Sequence, residues 1–178
     1  MVRLKVSFNG KPRATNISQL LLETKSLDKK ITKMEIIDKI RHVHGFLHLV
    51  AYDAEGCKIW RDNGHNMIVQ TGYAALADCF TGNPKAAISH IEVGTRGDQP
   101  APTDERITEP VRIDATITSK GAAGFRLDFT IGYTMAIGMQ IREFGIMTKD
   151  GRLFSRRVRA AIEKTQHMTI VGQWDVDF

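Results

Sequence analysis

The chain has 178 residues, 42% of them apolar, with 25 Lys and Arg against 20 Asp and Glu and only two cysteines. That length suits one domain, or one domain with an appendage, and folding at this size hides roughly 70% of the unfolded surface, so a core can hold it without disulfide staples. No stretch reaches the ~18 uninterrupted apolar residues of a membrane-spanning helix, and Met1-Val2-Arg3-Leu4-Lys5 alternates charged and apolar residues, unlike a secretory leader.

The charge is unevenly placed. Residues 1–45 carry 10 Lys and Arg against 4 Asp and Glu, whereas residues 46–178 carry 15 against 16. This divides the chain into a basic N-terminal arm, residues 1–45, and a nearly neutral module, residues 46–178. A basic arm suits nucleic acid or an acidic partner surface, and it also suits a plain solvated helix face.

In chain order, Val2, Leu4, Val6 and Phe8 alternate with polar residues and Asn9-Gly10 supplies a hairpin turn. Pro12 confines the return strand to an edge or shortens it. Beyond Asn16, a helix cap, Ile17, Leu20, Thr24, Leu27, Ile31 and Met34 recur in steps of three and four. This amphipathic helix packs on its own domain or forms a seam between subunits. Ile17, Leu20, Leu27, Ile31 and Met34 are therefore the candidate partner interface.

A strand is expected over 46–52, then a turn at Ala54-Glu55-Gly56 and a return over 58–60. A helix is expected over 66–80, with Tyr73, Leu76, Ala77 and Phe80 on one stripe and Gly82-Asn83-Pro84 as its stop. Strands follow over 88–93, 111–118, 125–135, 139–147, 153–159 and 167–178. Val111, Ile113, Ala115 and Ile117 oppose Arg112, Asp114, Thr116 and Thr118, and Phe125, Leu127, Phe129, Ile131, Tyr133 and Met135 oppose Arg126, Asp128, Thr130 and Thr134. One wet and one dry face per strand is what an antiparallel sandwich requires. Asp150-Gly151 between two apolar runs is a hairpin signal. Met168, Ile170, Gly172, Trp174, Val176 and Phe178 share one face of the closing strand, which is expected to be clamped in a sheet. The fold class is thus mainly β: an antiparallel, jelly-roll-like β-sandwich with one helix, plus the arm with its hairpin and amphipathic helix.

The residues offer little for catalysis. His42, His44 and His48 lack a second cluster of ligands at metal spacing. There is no G-x-S-x-G, and Cys79 sits in a helix without an acid–base setting. Cys57 and Cys79 read as small buried thiols, in keeping with a reducing cytoplasm. Gly94-Thr95-Arg96-Gly97 is followed by Pro100 and Pro102 where a phosphate-binding helix would have to begin, and Arg96-Gly97-Asp98 reads as a chance turn. No catalytic residue, metal ligand or cofactor is expected.

One residue stands out. Met139 and Ile141 set a phase that points Glu143 inward, while Phe144 and Ile146 take the opposite phase, so a β-bulge is expected at Glu143-Phe144-Gly145. A carboxylate near a core needs a partner, and Arg156 and Lys164 are the candidates.

The same residues carry a family likeness. Asn66-x-x-Val69-x-x-Gly72-x-x-x-Leu76-Ala77 is followed by Ile91-x-Val93-Gly94-Thr95, a loop Pro100-Ala101-Pro102-Thr103-Asp104, the two alternating strands, Ile141-Arg142-Glu143-x-Gly145-Ile146, Asp150-Gly151-x-Leu153, Arg156 and Lys164. In that order they resemble the tail-collar-fibre module and related tail or virion proteins of tailed bacteriophages, over roughly residues 60–178. Such fibres continue into a long shaft, and this sequence stops with the module, which brings in a stand-alone adaptor, collar, baseplate or capsid-decorating subunit beside the fibre. The resemblance implies a non-enzymatic structural protein of the virion, assembled in the host bacterial cytoplasm. It would act by binding other virion proteins and identical copies, with no membrane involved, in the tail, collar, baseplate or fibre attachment. The alternatives are a capsid decoration (cement) protein and, from another class, a nucleic-acid-binding protein that uses the basic arm.

Overall fold

The computed structural model describes residues 43–178. The candidate interface residues Ile17, Leu20, Leu27, Ile31 and Met34, the arm around them, and His42 lie outside the described residues. Ten strands are described: β1 (His44–Tyr52), β2 (Lys58–His65), β3 (Met67–Ile68), β4 (Ile88–Gly94), β5 (Val111–Ile113), β6 (Ala115–Ser119), β7 (Gly124–Ile131), β8 (Gln140–Thr148), β9 (Leu153–Glu163) and β10 (Thr169–Asp177). The helix α1 (Gln70–Phe80) lies between β3 and β4.

The strands form two antiparallel five-stranded sheets, in the orders β2-β1-β10-β7-β6 and β3-β9-β8-β4-β5. Their inner faces share one apolar core, as in a β-sandwich. Leu47, Leu49, Leu127, Phe129, Ile131, Ile170, Trp174 and Val176 come from the first sheet, and Ile91, Val93, Ile113, Phe144, Ile146 and Phe154 from the second. Alternation decides which residues these are. β10 pairs with β1 and β7 without a break, and Ile170, Gly172, Trp174 and Val176 all turn inward while Asp175 meets Arg126 on the wet face. Gly172 has no side chain because the Phe129 ring, opposite it on β7, occupies the space a Cβ would need.

The structure departs from the sequence reading in several places. The strand expected over 125–135 ends at Ile131, and the chain turns there, leaving Tyr133 exposed. The apolar run over 111–118 is two strands, not one. β5 pairs with β4 in the second sheet and β6 with β7 in the first, so the chain changes sheet at Asp114. The helix begins at Gln70 rather than Asn66, because Met67 and Ile68 pair with Arg156 and Ser155 of β9. α1 also presents a different face from the expected stripe: Gly72 and Ala75 are buried, while Tyr73 is 47% and Phe80 89% exposed. The reason is close approach, since a Cβ on Gly72 would collide with the Phe154 carbonyl of β9. Only the small-residue face fits there. Finally, Cys57 and Cys79 are both exposed free thiols, not buried ones, because each sits at an element's outer edge.

Candidate functional site: a charge-locked loop

The outer face of the second sheet carries the site. β8 is covered on both sides, and every residue from Glu143 to Thr148 is buried. Phe144 and Ile146 enter the sandwich core, so by alternation Glu143, Gly145 and Met147 face outward. There they lie beneath the long connection from Thr95 to Pro110, whose Ile107 joins Val69, Met147 and Leu153 in a second small apolar cluster. Gly145 is required by this contact, because a Cβ on it would fall 2.7 Å from the Ile107 side chain. Gly94 answers the same constraint, with the Thr108 carbonyl 2.5 Å and Glu143 Oε1 2.6 Å from where its Cβ would stand.

Glu143 is fully buried and has both carboxylate oxygens occupied. Oε1 accepts from the backbone N–H groups of Thr108 (2.8 Å) and Arg96 (3.2 Å), and Oε2 accepts from Arg156 Nε (2.7 Å). Arg156, fully buried on β9, also donates through Nη1 to Asp104 Oδ2 (2.9 Å) and to the Asp98 carbonyl (3.2 Å). Asp104 in turn accepts from Arg96 Nη2 (2.6 Å) and from the Ala101 N–H (2.9 Å). Two carboxylates and two guanidiniums thus form one closed network, tied to loop backbone through the N–H groups of Thr108, Arg96 and Ala101 and the Asp98 carbonyl. Burial alone would raise the Asp104 carboxyl, but the Ala101 N–H and the guanidiniums of Arg96 and Arg156 outweigh it and hold it below the ordinary carboxylate range.

The loop is tied to the helix as well. Pro102 offers its carbonyl to the N–H of Gln70 (2.8 Å), the first residue of α1, which has no side-chain cap of its own. Asn66, just before β3, bridges the two sheets: its Oδ1 accepts from Trp174 Nε1 (3.1 Å) on β10 and its Nδ2 donates to Ser155 Oγ on β9. Asp150-Gly151 forms the β8–β9 turn with Gly151 at φ 83°, and Arg152 and the Thr148 hydroxyl hold the Asp150 carboxyl down to about 2.

Among the described residues, the bulge and pairing residues named from the sequence each have a definite place. Glu143 and Arg156 are partners at 2.7 Å. Lys164 is not in the network: fully buried, its Nζ donates to the Thr165 carbonyl (2.8 Å), and burial lowers its pKa. The phase change falls slightly earlier than the expected bulge. The β8–β9 register shifts between Ile141 and Glu143, where β9 advances four residues, from Val158 to Ile162, against two on β8, while Glu143 to Met147 pair with β4 unbroken. Glu143 therefore faces the loop layer instead of the sandwich core. Sequence reasoning missed Asp104 and Arg96 as network members. The Pro100-Ala101-Pro102-Thr103-Asp104 stretch was the available signal, since a carboxylate after a rigid turn often bonds back to its own backbone.

Arg96 is drawn onto its own loop, 3.1 Å from Asp98 and 2.6 Å from Asp104, so Arg96-Gly97-Asp98 does not present a free guanidinium. His44 and His48 stand on the outer face of β1, and no group of three His, Cys, Asp or Glu side chains is placed to hold a metal among the described residues. No described helix is long and apolar enough to cross a membrane.

Chemically, the arrangement is a lock. It fixes the conformation of a 16-residue connection (95–110) over a sheet and leaves Asp98 as its exposed acidic tip, 64% accessible. Comparison with known proteins found no matching family model, no matching curated protein and no matching solved structure.

Proposed function

We propose that this chain is a structural component of a tailed-phage particle that acts by protein–protein binding, in the tail, collar, baseplate or fibre attachment. The observation that carries the reading is the fate of the motif residues. Gly94, Asp104, Glu143, Gly145 and Arg156, scattered over the sequence, converge on holding one loop, and their polar atoms are turned on one another. A group used in general acid–base chemistry must reach a substrate proton within hydrogen-bond distance, and Glu143 already has an N–H donor on each oxygen. A rigid loop, by contrast, lowers the ordering cost of binding a partner. The family resemblance of the same motifs supports the virion as the place of action.

The test is localisation on intact particles. Antibody raised against residues 43–178 and coupled to gold should label tailed-phage particles at the tail, collar or baseplate by electron microscopy. Labelling over the capsid surface assigns a decoration role in place of a tail one. Particles that lack the protein altogether refute the reading.

A further inference from the structure

The outward face of α1 is apolar, and it borders a groove. Phe80 (89% exposed) and Tyr73 (47%) project from it with Ala74 and Ala77, both exposed, between them. Beside it opens a cavity of about 290 Å³, lined among others by Leu76, Cys79, Ile88, Phe125, Phe154 and Phe178. Its wall is an aromatic row, with Phe125 6.0 Å from Phe154 and 6.1 Å from Phe178, centroid to centroid. The only charged residue of α1 is Asp78, and Arg152 holds it at 2.8 Å.

We propose that this patch is a two-fold interface with a second copy of the chain, in which Phe80 of each copy fills the groove of the other. Three observations select this occupant. First, the projecting ring and the apolar groove that accepts a ring belong to the same patch, since Phe80 is itself one of the residues that line the groove. An isologous contact brings the same patch of both copies together, so both rings and both grooves are satisfied in a closed pair. Second, the side chains that line the groove are all uncharged, and the one charged residue of α1, Asp78, is held by Arg152, as the centre of an interface requires. Third, the area suffices: at their exposures Phe80, Tyr73 and Phe178 offer on the order of 350 Å² per copy. Two copies bring about 700 Å², and Ala74, Ala77 and Cys79 carry the total toward the ~1,000 Å² of a specific interface. Ala74 and Ala77 let the two helices approach closely, since interaxial distance follows side-chain size at the contact. This names the partner and the surface for binding between identical copies. It stands on the geometry of α1 and the groove beside it, so a failure of virion labelling leaves it intact.

Cys79 makes the contact directly measurable. In full-length protein with Cys57→Ser, the sole remaining thiol lines the groove next to Phe80, so the two thiols of the proposed pair both lie at the contact, within reach of one linker. A short bis-maleimide at low micromolar protein should give a covalent dimer as the main product. Phe80→Ala should weaken the dimer about 30-fold by sedimentation equilibrium, as loss of a hot-spot ring does, and Phe80→Glu should abolish the Cys79–Cys79 product. Phe80 is exposed in the single copy, so neither change disturbs its core, which an unchanged circular dichroism spectrum verifies. Absence of the cross-linked dimer overturns the proposal, and so does a product that survives Phe80→Glu. A Cys79 protected from mono-maleimide in a protein that sediments as a monomer means another segment or protein fills the groove, and overturns it equally.

Discussion

Replacing Glu143 by glutamine keeps the shape of the side chain and places two N–H donors where the structure has only donors to meet. Oε1 accepts from two backbone N–H groups and Oε2 from Arg156 Nε. A single amide oxygen can serve one side of this site, never both, and whichever way the amide is turned its NH2 confronts a donor. The charge-assisted bond to Arg156 contributes about 1.5–3 kcal/mol, and a donor left unsatisfied in a buried site costs about 1–3 kcal/mol more. Glu143→Gln should therefore destabilise by about 3 kcal/mol. Glu143→Leu strands the guanidinium and both N–H groups together, and breaking a buried pair from one side costs about 3–5 kcal/mol. The assay is urea unfolding followed by tryptophan fluorescence, because Trp174 is fully buried and bonded to Asn66. A double-mutant cycle of Glu143→Leu with Arg156→Met isolates the pair, and its coupling should be about 2–3 kcal/mol. Coupling below about 0.5 kcal/mol, the ordinary error of additivity, would refute the lock as the role of Glu143. So would a Glu143→Leu variant whose midpoint moves by less than about 1 kcal/mol at unchanged slope.

Four further outcomes follow from the same geometry. Gly72→Ala improves helix propensity by about 1 kcal/mol, yet should lower stability by a net ~2 kcal/mol in urea unfolding, because its Cβ meets the Phe154 carbonyl and α1 must lift off β9. Phe129→Ala, opposite Gly172 in the core, should cost about 3–5 kcal/mol through the cavity it leaves; a midpoint shift worth less than about 1 kcal/mol would put that face in solvent. Asp104 has a folded pKa below its unfolded one, so its stabilisation is complete above the unfolded value and is lost as pH falls through the folded value. The stability gap between wild type and Asp104→Asn should accordingly close as pH falls from the ordinary carboxylate range to below it in acid-unfolding series. Lys164 has a folded pKa lowered by burial, so stability should rise with pH as the folded value is passed and until about 10.4, the unfolded value. Lys164→Met should flatten that rise in alkaline melts and stabilise the protein near neutrality by about 1 kcal/mol.

Much of this protein is decided by local periodicity. Alternation along 125–131 and 170–176 names the buried side chains without knowledge of any partner strand, because a pleated strand turns successive residues to opposite sides. The Asp150-Gly151 turn is equally local, since its backbone needs φ > 0 at Gly151. Even the Glu143–Arg156 pair is legible, because the hairpin brings the two strands side by side and a phase conflict marks Glu143 as buried.

Tertiary contacts decided the rest. Nothing in Val111-Arg112-Ile113-Asp114-Ala115-Thr116 says that the chain changes sheet at Asp114, because the alternation runs on across the corner. Three residues that pattern as helix, Asn66 to Ile68, are claimed in part by a short pairing with β9 and in part by an Asn66 bridge to Trp174, 108 residues away. The helix stripe of Tyr73 and Phe80 is amphipathic by count, but a glycine-sized gap above the Phe154 carbonyl selects the opposite face for burial. Asp104 and Arg96 join Glu143 only because a loop without periodicity folds back over β8. Period is written along the chain, whereas the choice among faces, sheets and charge partners is made by steric fit and by the need of buried charges for partners, both of which exist only once distant segments meet.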